Sequence, residues 1–330
     1  MRLKPGCLAA LAERLRTRAE LGFKRDVERA ARAFGRVTRS AWFPSAGPIL
    51  NGDDAAALLD GDGHLLLAAE GIRPELVASD PWFAGYCSLM VNLNDIAAMG
   101  GRPWAVVDVL FLGDGDGDEV LEGMAAASRA FGVPVVGGHT SRVVGPTLLA
   151  VAVLGRSRRL LAASTARPGQ VVLAAIDLNG SFRGPGGNFD AATTASPTSL
   201  RARLALLPEL AEAKLLCAGK DVSMAGLCGS LLMMLESSGT GAVLDPGCVP
   251  APPDVDPVRW LTSFPSFGFV LAVEEASVHE VCARFRGAGV ACAEVGRLTG
   301  SRQLVLAHGT ERALYWDLSV ESLTGFGAPE

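Results

Sequence analysis

Apolar residues recur at helical spacing near the start of the chain. Residues 6–20 and 24–34 each carry an apolar stripe, with polar and charged residues on the opposite face. A stripe that repeats every three or four residues is typical of an amphipathic helix. We therefore expect two short helices, with apolar faces formed by Leu8, Leu11 and Leu15 in the first and by Val27, Ala30, Ala31 and Phe34 in the second.

Short apolar runs then alternate with amphipathic stretches. Helices are expected at 119–131, 199–218 and 276–287, and strands at 65–69, 105–112, 133–136, 146–155, 171–176, 269–273, 290–296 and 303–307. This alternation indicates an α/β (α+β) protein. Several of the early strands are apolar on both faces, which one layer of helices cannot cover. We therefore expect a second copy of the chain to bury one face of the sheet.

Turn signals divide the chain into three parts. An N-terminal helical segment is expected at 1–44, a first domain at 45–166 and a second α/β domain at 167–330, with Arg167-Pro168-Gly169 at the second boundary. The polar, glycine-rich residues 180–198 are expected to lack regular structure, and a ligand-binding role and disorder both stay open. Residues 113–118 predict a solvated acidic turn, with calcium binding as the weaker alternative because an EF-hand needs a terminal Glu.

Composition limits the classes of function. A chain of 330 residues that is 49% hydrophobic has enough apolar residues for two packed domains. Its net charge of -5 argues against a nucleic-acid-binding surface. The seven cysteines contain no CxxC pair, so we expect reduced thiols in a cytoplasmic protein. No run is long enough to cross a bilayer, and the N-terminus carries no apolar signal-peptide region.

The stretch Leu89–Pro103, which reads LMVNLNDIAAMGGRP, carries one acid in an apolar helix. The helix is expected to end at Gly100-Gly101, since glycine readily adopts the left-handed cap conformation. Asp95 follows Asn92 by one turn. A carboxylate in such a helix is expected to be exposed, paired or bound to a cation. The residues alone favour exposure over a metal role.

A second group of acids lies around the first predicted strand. Asp53 and Asp54 precede it and Glu70 follows it, while Asp60-Gly61-Asp62-Gly63 predicts a hairpin turn. Adjacent carboxylates on a glycine-containing loop can bind Mg²⁺, which prefers oxygen ligands. A solvated acidic loop is the alternative.

Gly137-Gly138 follows another predicted strand, with His139 and Thr140 directly behind. Glycine lets the backbone approach a phosphate closely, and its amides are donors. A turn that merely ends the strand is the alternative, and His139 is equally compatible with a packed loop residue.

Asp221 precedes a predicted helix in the segment Gly219–Ser223. An aspartate at this position is expected to cap the helix. Its neighbour Lys220 is expected to contact phosphate or to lie in solvent. Lys24 in the N-terminal segment is expected to be one of the exposed charges at a capped helix start.

Four motifs in this order carry a resemblance: GDDAA, NLNDIAAMGG, GGHT and KDVS-x-x-G-L. They resemble a superfamily of ATP-dependent enzymes that includes aminoimidazole ribonucleotide synthetase, thiamine-monophosphate kinase, selenophosphate synthetase and the hydrogenase-maturation dehydratase. The similarity covers roughly residues 45–300 and is closest to the uncharacterised, synthetase-related branch. GGHT follows the selenophosphate synthetases, whereas Glu70 stands where the kinases have Asp.

The resemblance implies a two-domain synthetase-like fold. The mixed sheet of the first domain would pair with a second copy into a dimeric β-barrel, and the second domain would be ferredoxin-like. The implied cofactors are ATP and Mg²⁺. The metal ligands would be Asp53, Asp54, Asp95, Asp221 and Glu70, and the nucleotide contacts Asn92, Gly137, Gly138, His139, Thr140, Lys220 and Lys24.

The implied activity is phosphoryl transfer to a small-molecule acceptor, as in a kinase or synthetase. No single catalytic residue and no acceptor can be named from the motifs. The alternative is a non-catalytic, nucleotide-binding or regulatory homodimer.

Overall fold

The computed structural model describes residues 1, 3–34, 37–42, 47, 49–113, 117–184 and 186–327. The chain divides into two compact units, a larger one of Met1–Asp53, Leu161–Ala192 and Leu210–Glu330 and a smaller one of Asp54–Leu160 and Thr193–Glu209. The predicted domain boundary at residue 44 and the acidic residues 114–116 lie outside the described residues.

Helices and strands alternate along most of the described chain. The α-helices are α1 (Leu8–Arg16), α2 (Ala19–Arg25), α3 (Val27–Phe34), α4 (Pro74–Ser79), α5 (Pro81–Ala98), α6 (Asp118–Phe131), α7 (Pro197–Glu212), α8 (Gly226–Ser238), α9 (Pro257–Leu261) and α10 (Val278–Gly287). None of these helices is both long enough and apolar enough to span a membrane.

The strands of the first half of the described chain are β1 (Val37–Thr38), β2 (Ile49–Leu50), β3 (Ala56–Asp60), β4 (Gly63–Ile72), β5 (Arg102–Leu112), β6 (Val135–Arg142), β7 (Leu148–Ser157) and β8 (Val171–Ile176). Those of the second half are β9 (Ser181–Phe182), β10 (Asn188–Asp190), β11 (Ala218–Asp221), β12 (Gly241–Leu244), β13 (Phe264–Pro265), β14 (Gly268–Val273), β15 (Ala291–Thr299), β16 (Gln303–His308) and β17 (Glu311–Asp317).

The smaller unit is built on a mixed five-stranded sheet in the order β3-β4-β7-β5-β6. Only the edge pair β5–β6 is parallel, and the other three pairs are antiparallel. Helix α5 packs against β4, β7 and β5, and α6 packs on α5. The helix-facing residues are fully buried, among them Leu66, Val106 and Val153.

The opposite face of this sheet is apolar and exposed in the single chain. In β7 the buried residues alternate with exposed ones, as the two-residue period of a strand requires. The exposed side chains on this face include Leu67 (51%), Val107 (44%) and Leu154 (36%), and Leu67 pairs directly with Leu154. The expected second apolar face is therefore present, and the expected dimer stays a prediction.

Helix α5 is the centre of the smaller unit. Asp80 Oδ1 accepts a hydrogen bond from Phe83 N at 3.2 Å, and Pro81 opens the helix, where a missing N–H costs nothing. Every residue from Phe83 to Ala98 is buried. Gly100 ends the helix in the left-handed conformation, with φ of 71°, as predicted.

Two glycines allow α5 and α6 to approach closely. A Cβ on Gly85 of α5 would lie 2.0 Å from Val120 O, and one on Gly123 of α6 would lie 1.9 Å from Trp82 O. Both obstructing atoms belong to the backbone, so a side chain at either position would push the helices apart.

The larger unit contains a seven-stranded sheet in the order β11-β14-β8-β15-β12-β16-β17. Its strands β8 and β14 are buried at every position, so both of their faces are covered. Helices α1 and α8 share one apolar core with Val172, Ala174 and Ile176 of β8, and α10 packs against β15 and β8. The two units together confirm the predicted α/β (α+β) fold.

The glycine-rich segment 180–198 is more ordered than expected. Its β9 and β10 pair with each other, and β10 also pairs in parallel with β13. Arg259 donates to the carbonyl oxygens of Gly184 and Gly186 and lies 3.7 Å from the Phe182 ring centroid. The expectation that this segment lacks regular structure was wrong, because its strand partner comes from a sequence-distant segment, Phe264–Pro265.

Three local expectations also differ from the structure. The predicted helix at 24–34 is divided into α2 and α3, so Lys24 lies in the last turn of α2. Gly137–Thr140 lie inside β6 because parallel pairing with β5 continues to Arg142. Asp221 ends β11 while α8 begins at Gly226, so it does not cap that helix.

Because α5 and α6 approach closely, adding one methyl group between them should change the stability of the protein. Gly123→Ala should lower the free energy of unfolding by about 1–3 kcal/mol, the usual cost of overpacking. Gly22→Ala is the control, since a Cβ there meets no atom within 4 Å and alanine favours the helix by up to about 1 kcal/mol. Urea denaturation measures both, and an unchanged midpoint for Gly123→Ala would contradict this packing.

Candidate metal and nucleotide site

The acid in α5 is buried rather than exposed. Asp95 is 5% exposed and Asn92, one turn earlier, is 0% exposed. The Asn92 amide nitrogen donates to Ser88 O at 2.8 Å. Its Oδ1 is buried and makes no hydrogen bond within the described part of the chain. The expectation of an exposed Asp95 was wrong, since α5 is covered on all sides.

Asp54 and Asp95 lie together. One carboxylate oxygen of Asp54 is within 4.8 Å of one from Asp95. Two carboxylates this close repel each other unless a proton or a cation compensates. Carboxylate and amide oxygens are the ligands that Mg²⁺ prefers, so the donor set of Asp54, Asp95 and Asn92 fits this ion.

Asp53 has different surroundings from its neighbour Asp54. Its Oδ2 accepts a hydrogen bond from Ala163 N at 2.7 Å, and its Oδ1 lies 3.8 Å from Lys220 Nζ. The Lys220 side chain is only 5% exposed and that of Asp53 14%, so water screens this ion pair little. Within the larger unit, Asp53 therefore compensates a buried lysine.

Glu70 belongs to a row of residues that crosses the smaller unit's sheet. Glu70 pairs with Val151, Val151 with Asp108, and Asp108 with Gly138. Laterally paired residues share one face of a sheet, and the buried Val151 marks this face as the helix-covered one. Glu70 does not join Asp54 and Asp95 within 4.8 Å in the described chain, and its role as a ligand stays a prediction.

Asp108 is a candidate that the motifs do not include. A Cβ on Gly138 would lie 2.2 Å from Asp108 Oδ1, so the glycine makes room for this carboxyl group. Burial raises the pKa of Asp108, and a hydrogen bond with its own backbone opposes the shift. The sequence signal that could have identified Asp108 is its position as the single acid in the apolar run AVVDVLFL, within the strand of residues 102–112.

The GGHT residues lie on the edge strand of the same sheet. All of Gly137, Gly138, His139 and Thr140 are exposed, and the His139 ring meets Phe111 edge-on at 6.2 Å. An edge strand directs half of its backbone N–H groups away from the sheet. A Cβ on Gly137 meets no atom within 4 Å, so a ligand can approach this backbone closely.

The remaining candidates are in the larger unit. Lys24 is half-buried in α2, and Asp221 is 5% exposed at the end of β11. The contacts of these two residues with a nucleotide or a metal ion stay predictions.

Sequence comparison places this site in a known family. Residues 52–157 match the N-terminal domain of AIR synthase related proteins, and residues 168–309 match the C-terminal domain of the same proteins. The chain is 46% identical to the uncharacterised protein sll0787 of Synechocystis sp. over 83% of this chain and 86% of that protein. The chain belongs to the AIR synthase related family.

The PurL relatives are larger than this chain. The PurL subunit of phosphoribosylformylglycinamidine synthase from Bradyrhizobium sp. is 27% identical over 76% of this chain, which spans only 37% of that subunit. Thermotoga maritima PurL complexed with ATP has a TM-score of 0.73 at 19% identity, with 99% of this chain and 56% of that chain covered. A ThiL protein complexed with AMPPCP and TMP has a TM-score of 0.63 at 17% identity, with 80% and 90% covered. At these identities the structures show the shared fold.

The adjacent acids predict opposite effects on stability. Asp53→Asn should lower the free energy of unfolding by roughly 1–3 kcal/mol, because it removes the carboxylate charge that lies 3.8 Å from the buried Lys220 ammonium group. Asp54→Asn should leave the metal-free protein unchanged or slightly more stable, since it removes repulsion with Asp95. Chemical denaturation in EDTA compares the two, and equal losses for both variants would contradict the different surroundings.

The raised pKa of Asp108 predicts a pH dependence. When the pKa of a carboxyl group is higher in the folded protein than in the unfolded one, the folded protein holds the proton up to a higher pH. The group's stabilising contribution is therefore complete below the unfolded pKa and is lost as pH rises through the folded one. Asp108→Asn should unfold at a higher temperature than wild type at pH 7, with the difference shrinking toward pH 4. A difference independent of pH would contradict the raised pKa.

Proposed function

We propose that this protein binds ATP with Mg²⁺ and transfers a phosphoryl group to a small-molecule acceptor. The observation that carries the proposal is the close pair of Asp54 and Asp95, whose carboxylate oxygens lie within 4.8 Å of each other. A buried acid in an apolar helix is costly, so a second acid beside it calls for a compensating positive charge. In this proposal a metal ion provides that charge.

Asp54 and Asp95 would hold the metal ion, with Asn92 Oδ1 as a further oxygen donor. Asp221 of the larger unit is the third carboxylate that the family resemblance implies, and Glu70 is a further candidate. Bound Mg²⁺ would neutralise phosphate charge, which is the main electrostatic demand of phosphoryl transfer.

The other residues of the proposal bind and orient. Outward-facing amides of β6 around Gly137 and Gly138 would donate to phosphate oxygens, with His139 and Thr140 beside them. Lys220 would keep Asp53 in place, and Lys24 would contact phosphate. This assigns different roles to Asp53 and Asp54, the first positioning the loop and the second binding the metal ion.

The family comparison supports nucleotide binding. Structures of Thermotoga maritima PurL complexed with ATP, ADP and AMPPCP share this fold, as does ThiL complexed with AMPPCP and TMP. We propose that this chain also binds a nucleotide. We further propose that the protein is located in the cytoplasm. The acceptor stays open, because each of these proteins has its own.

A non-catalytic nucleotide-binding protein is the second candidate. Glu70 stands where the related kinases have an aspartate, and the longer side chain changes the geometry around any metal ion. Release of ADP from ATP by the purified protein, with a panel of phosphate esters, amides and carboxylates as acceptors, separates the two functions. Binding without turnover across the panel would favour the regulatory role.

Magnesium-dependent stabilisation tests the site itself. ATP with Mg²⁺ should raise the melting temperature of the wild type, and either one alone should raise it much less. Asp95→Asn should weaken Mg-ATP binding by about 10-fold or more, since the side chain keeps its shape and loses its charge. Asp254→Asn, an exposed position with φ of 55° that asparagine adopts readily, is the matched control.

Two results would contradict this assignment. If Mg²⁺ does not raise the melting temperature of the wild-type protein in the presence of ATP, the proposed nucleotide binding is contradicted. If the Asp95→Asn variant binds Mg-ATP with wild-type affinity, nucleotide binding stands but Asp95 is not part of the binding site.

The exposed apolar sheet face supports a homodimer as the second part of the proposal. A specific interface buries at least about 1,000 Å² in total, about half of it on each partner, and contiguous exposed apolar patches often mark such interfaces. Leu67→Glu and Val107→Glu should therefore yield monomers in light scattering at micromolar concentration. A wild-type monomer at that concentration would overturn the dimer.

A further inference from the structure

A buried glutamate of the larger unit is bonded to the C-terminal residues of the described chain. Glu236 of α8 is 1% exposed. Its carboxylate accepts hydrogen bonds from the backbone amides of Leu323 (2.9 Å), Thr324 (2.9 Å) and Gly325 (3.2 Å), and from the Thr324 hydroxyl (2.5 Å). No residue of the four motifs takes part in this network.

The physical cost of burial makes this attachment strong. A carboxylate transferred from water into a protein interior is stable only when donors replace its hydration. Four donors from one short segment surround Glu236, so releasing that segment would leave a buried charge without compensation. Leu323, Thr324 and Phe326 are themselves buried, at 1%, 7% and 8% exposure. We call residues 321–326 the C-terminal clamp.

The end of the clamp packs against the loop that precedes Asp53. A Cβ on Gly52 would lie 2.2 Å from Phe326 Cγ, so the ring occupies the space where a side chain would be. Gly52 has φ of 97°, a conformation that other residues rarely adopt. Phe326 and the glycine conformation therefore define the backbone directly before the acid pair.

The same clamp holds the N-terminal helices. Glu321 forms an ion pair with Arg25 at 2.6 Å, and the Arg25 guanidinium lies 5.3 Å from the Trp316 ring centroid. A Cβ on Gly325 would lie 2.8 Å from Glu28 Cγ. Arg25 directly follows Lys24, so the clamp fixes the helix that carries this candidate phosphate contact.

We infer that the C-terminal clamp positions the metal-binding loop at Gly52–Asp54 and the helix of Lys24, with Glu236 as its attachment point. This inference rests on the proposed function and adds positioning residues to it. The clamp acts through Gly52 and Arg25 and touches neither nucleotide nor metal ion. Loss of the clamp should therefore change how the site binds Mg²⁺ before it changes whether the protein folds.

The experiment combines two measurements on the full chain. Hydrogen exchange of the amides of residues 323–325 reports attachment to Glu236. Titration of MgCl₂ at a fixed ATP concentration, followed by calorimetry below the melting temperature of every variant, reports the half-saturating Mg²⁺ concentration. The variants are Glu236→Gln, which places an amide against the backbone donors, and Phe326→Ala, which removes the ring over Gly52. Val320→Ala, at a position 82% exposed, is the control.

The clamp predicts faster exchange at residues 323–325 in Glu236→Gln. Both variants should raise the half-saturating Mg²⁺ concentration by about 10-fold or more, as loss of groups that orient metal ligands usually does. Maximal ATP binding should return at high Mg²⁺, which simple unfolding would not allow, and Val320→Ala should match the wild type.

Unchanged Mg²⁺ dependence in folded Glu236→Gln and Phe326→Ala would overturn the clamp while leaving the proposed function intact. A wild-type protein that binds no ATP at any Mg²⁺ concentration would instead overturn the proposed function. Should both variants fail to fold, Thr324→Val keeps the side-chain shape and removes both hydrogen bonds of the hydroxyl, the one donated to Glu236 and the one accepted from Phe326 N. Faster exchange in that variant with wild-type Mg²⁺ dependence would also overturn the clamp.

Discussion

The burial of Asp95 inside an apolar helix is the constraint on which the smaller unit depends. A carboxylate at 5% exposure is compatible with folding only if its surroundings supply compensation, and a second acid, Asp54, lies beside it. Helix α5 is held rigidly around Asp95. The capped start at Asp80, the glycine contacts with α6 and the Gly100 end together fix α5, so its acid has one position relative to the sheet.

Much of this could be predicted from the sequence because the signals are local. The helix of Asp95 ends at its glycine pair, and β8 occupies residues 171–176 as the apolar run predicts. The order of four short motifs identified the family, which the comparison confirmed. Burial of Asp95 was not predictable from the residues alone, because exposure is usual for a lone acid and the covering elements are distant in sequence.

Several of the missed features depend on contacts between distant segments. The different surroundings of Asp53 and Asp54 follow from Lys220 and Ala163, which contact Asp53 and which no local pattern connects to it. Likewise, β10 in the glycine-rich segment near residue 180 pairs with Phe264–Pro265, which is distant in sequence. The strand β6 includes the GGHT residues since its partner β5 continues alongside, although glycine pairs usually indicate a turn.

A crystal structure with Mn²⁺ and the non-hydrolysable analogue AMPPCP would test the central assignment most directly, since the anomalous signal of manganese identifies the ion. We expect a manganese ion coordinated by carboxylate oxygens of Asp54 and Asp95 and by the phosphates of the analogue, with Asp53 Oδ2 still accepting a hydrogen bond from Ala163 N. Manganese bound away from both acids, or coordinated by Asp53 in place of Asp54, would contradict it.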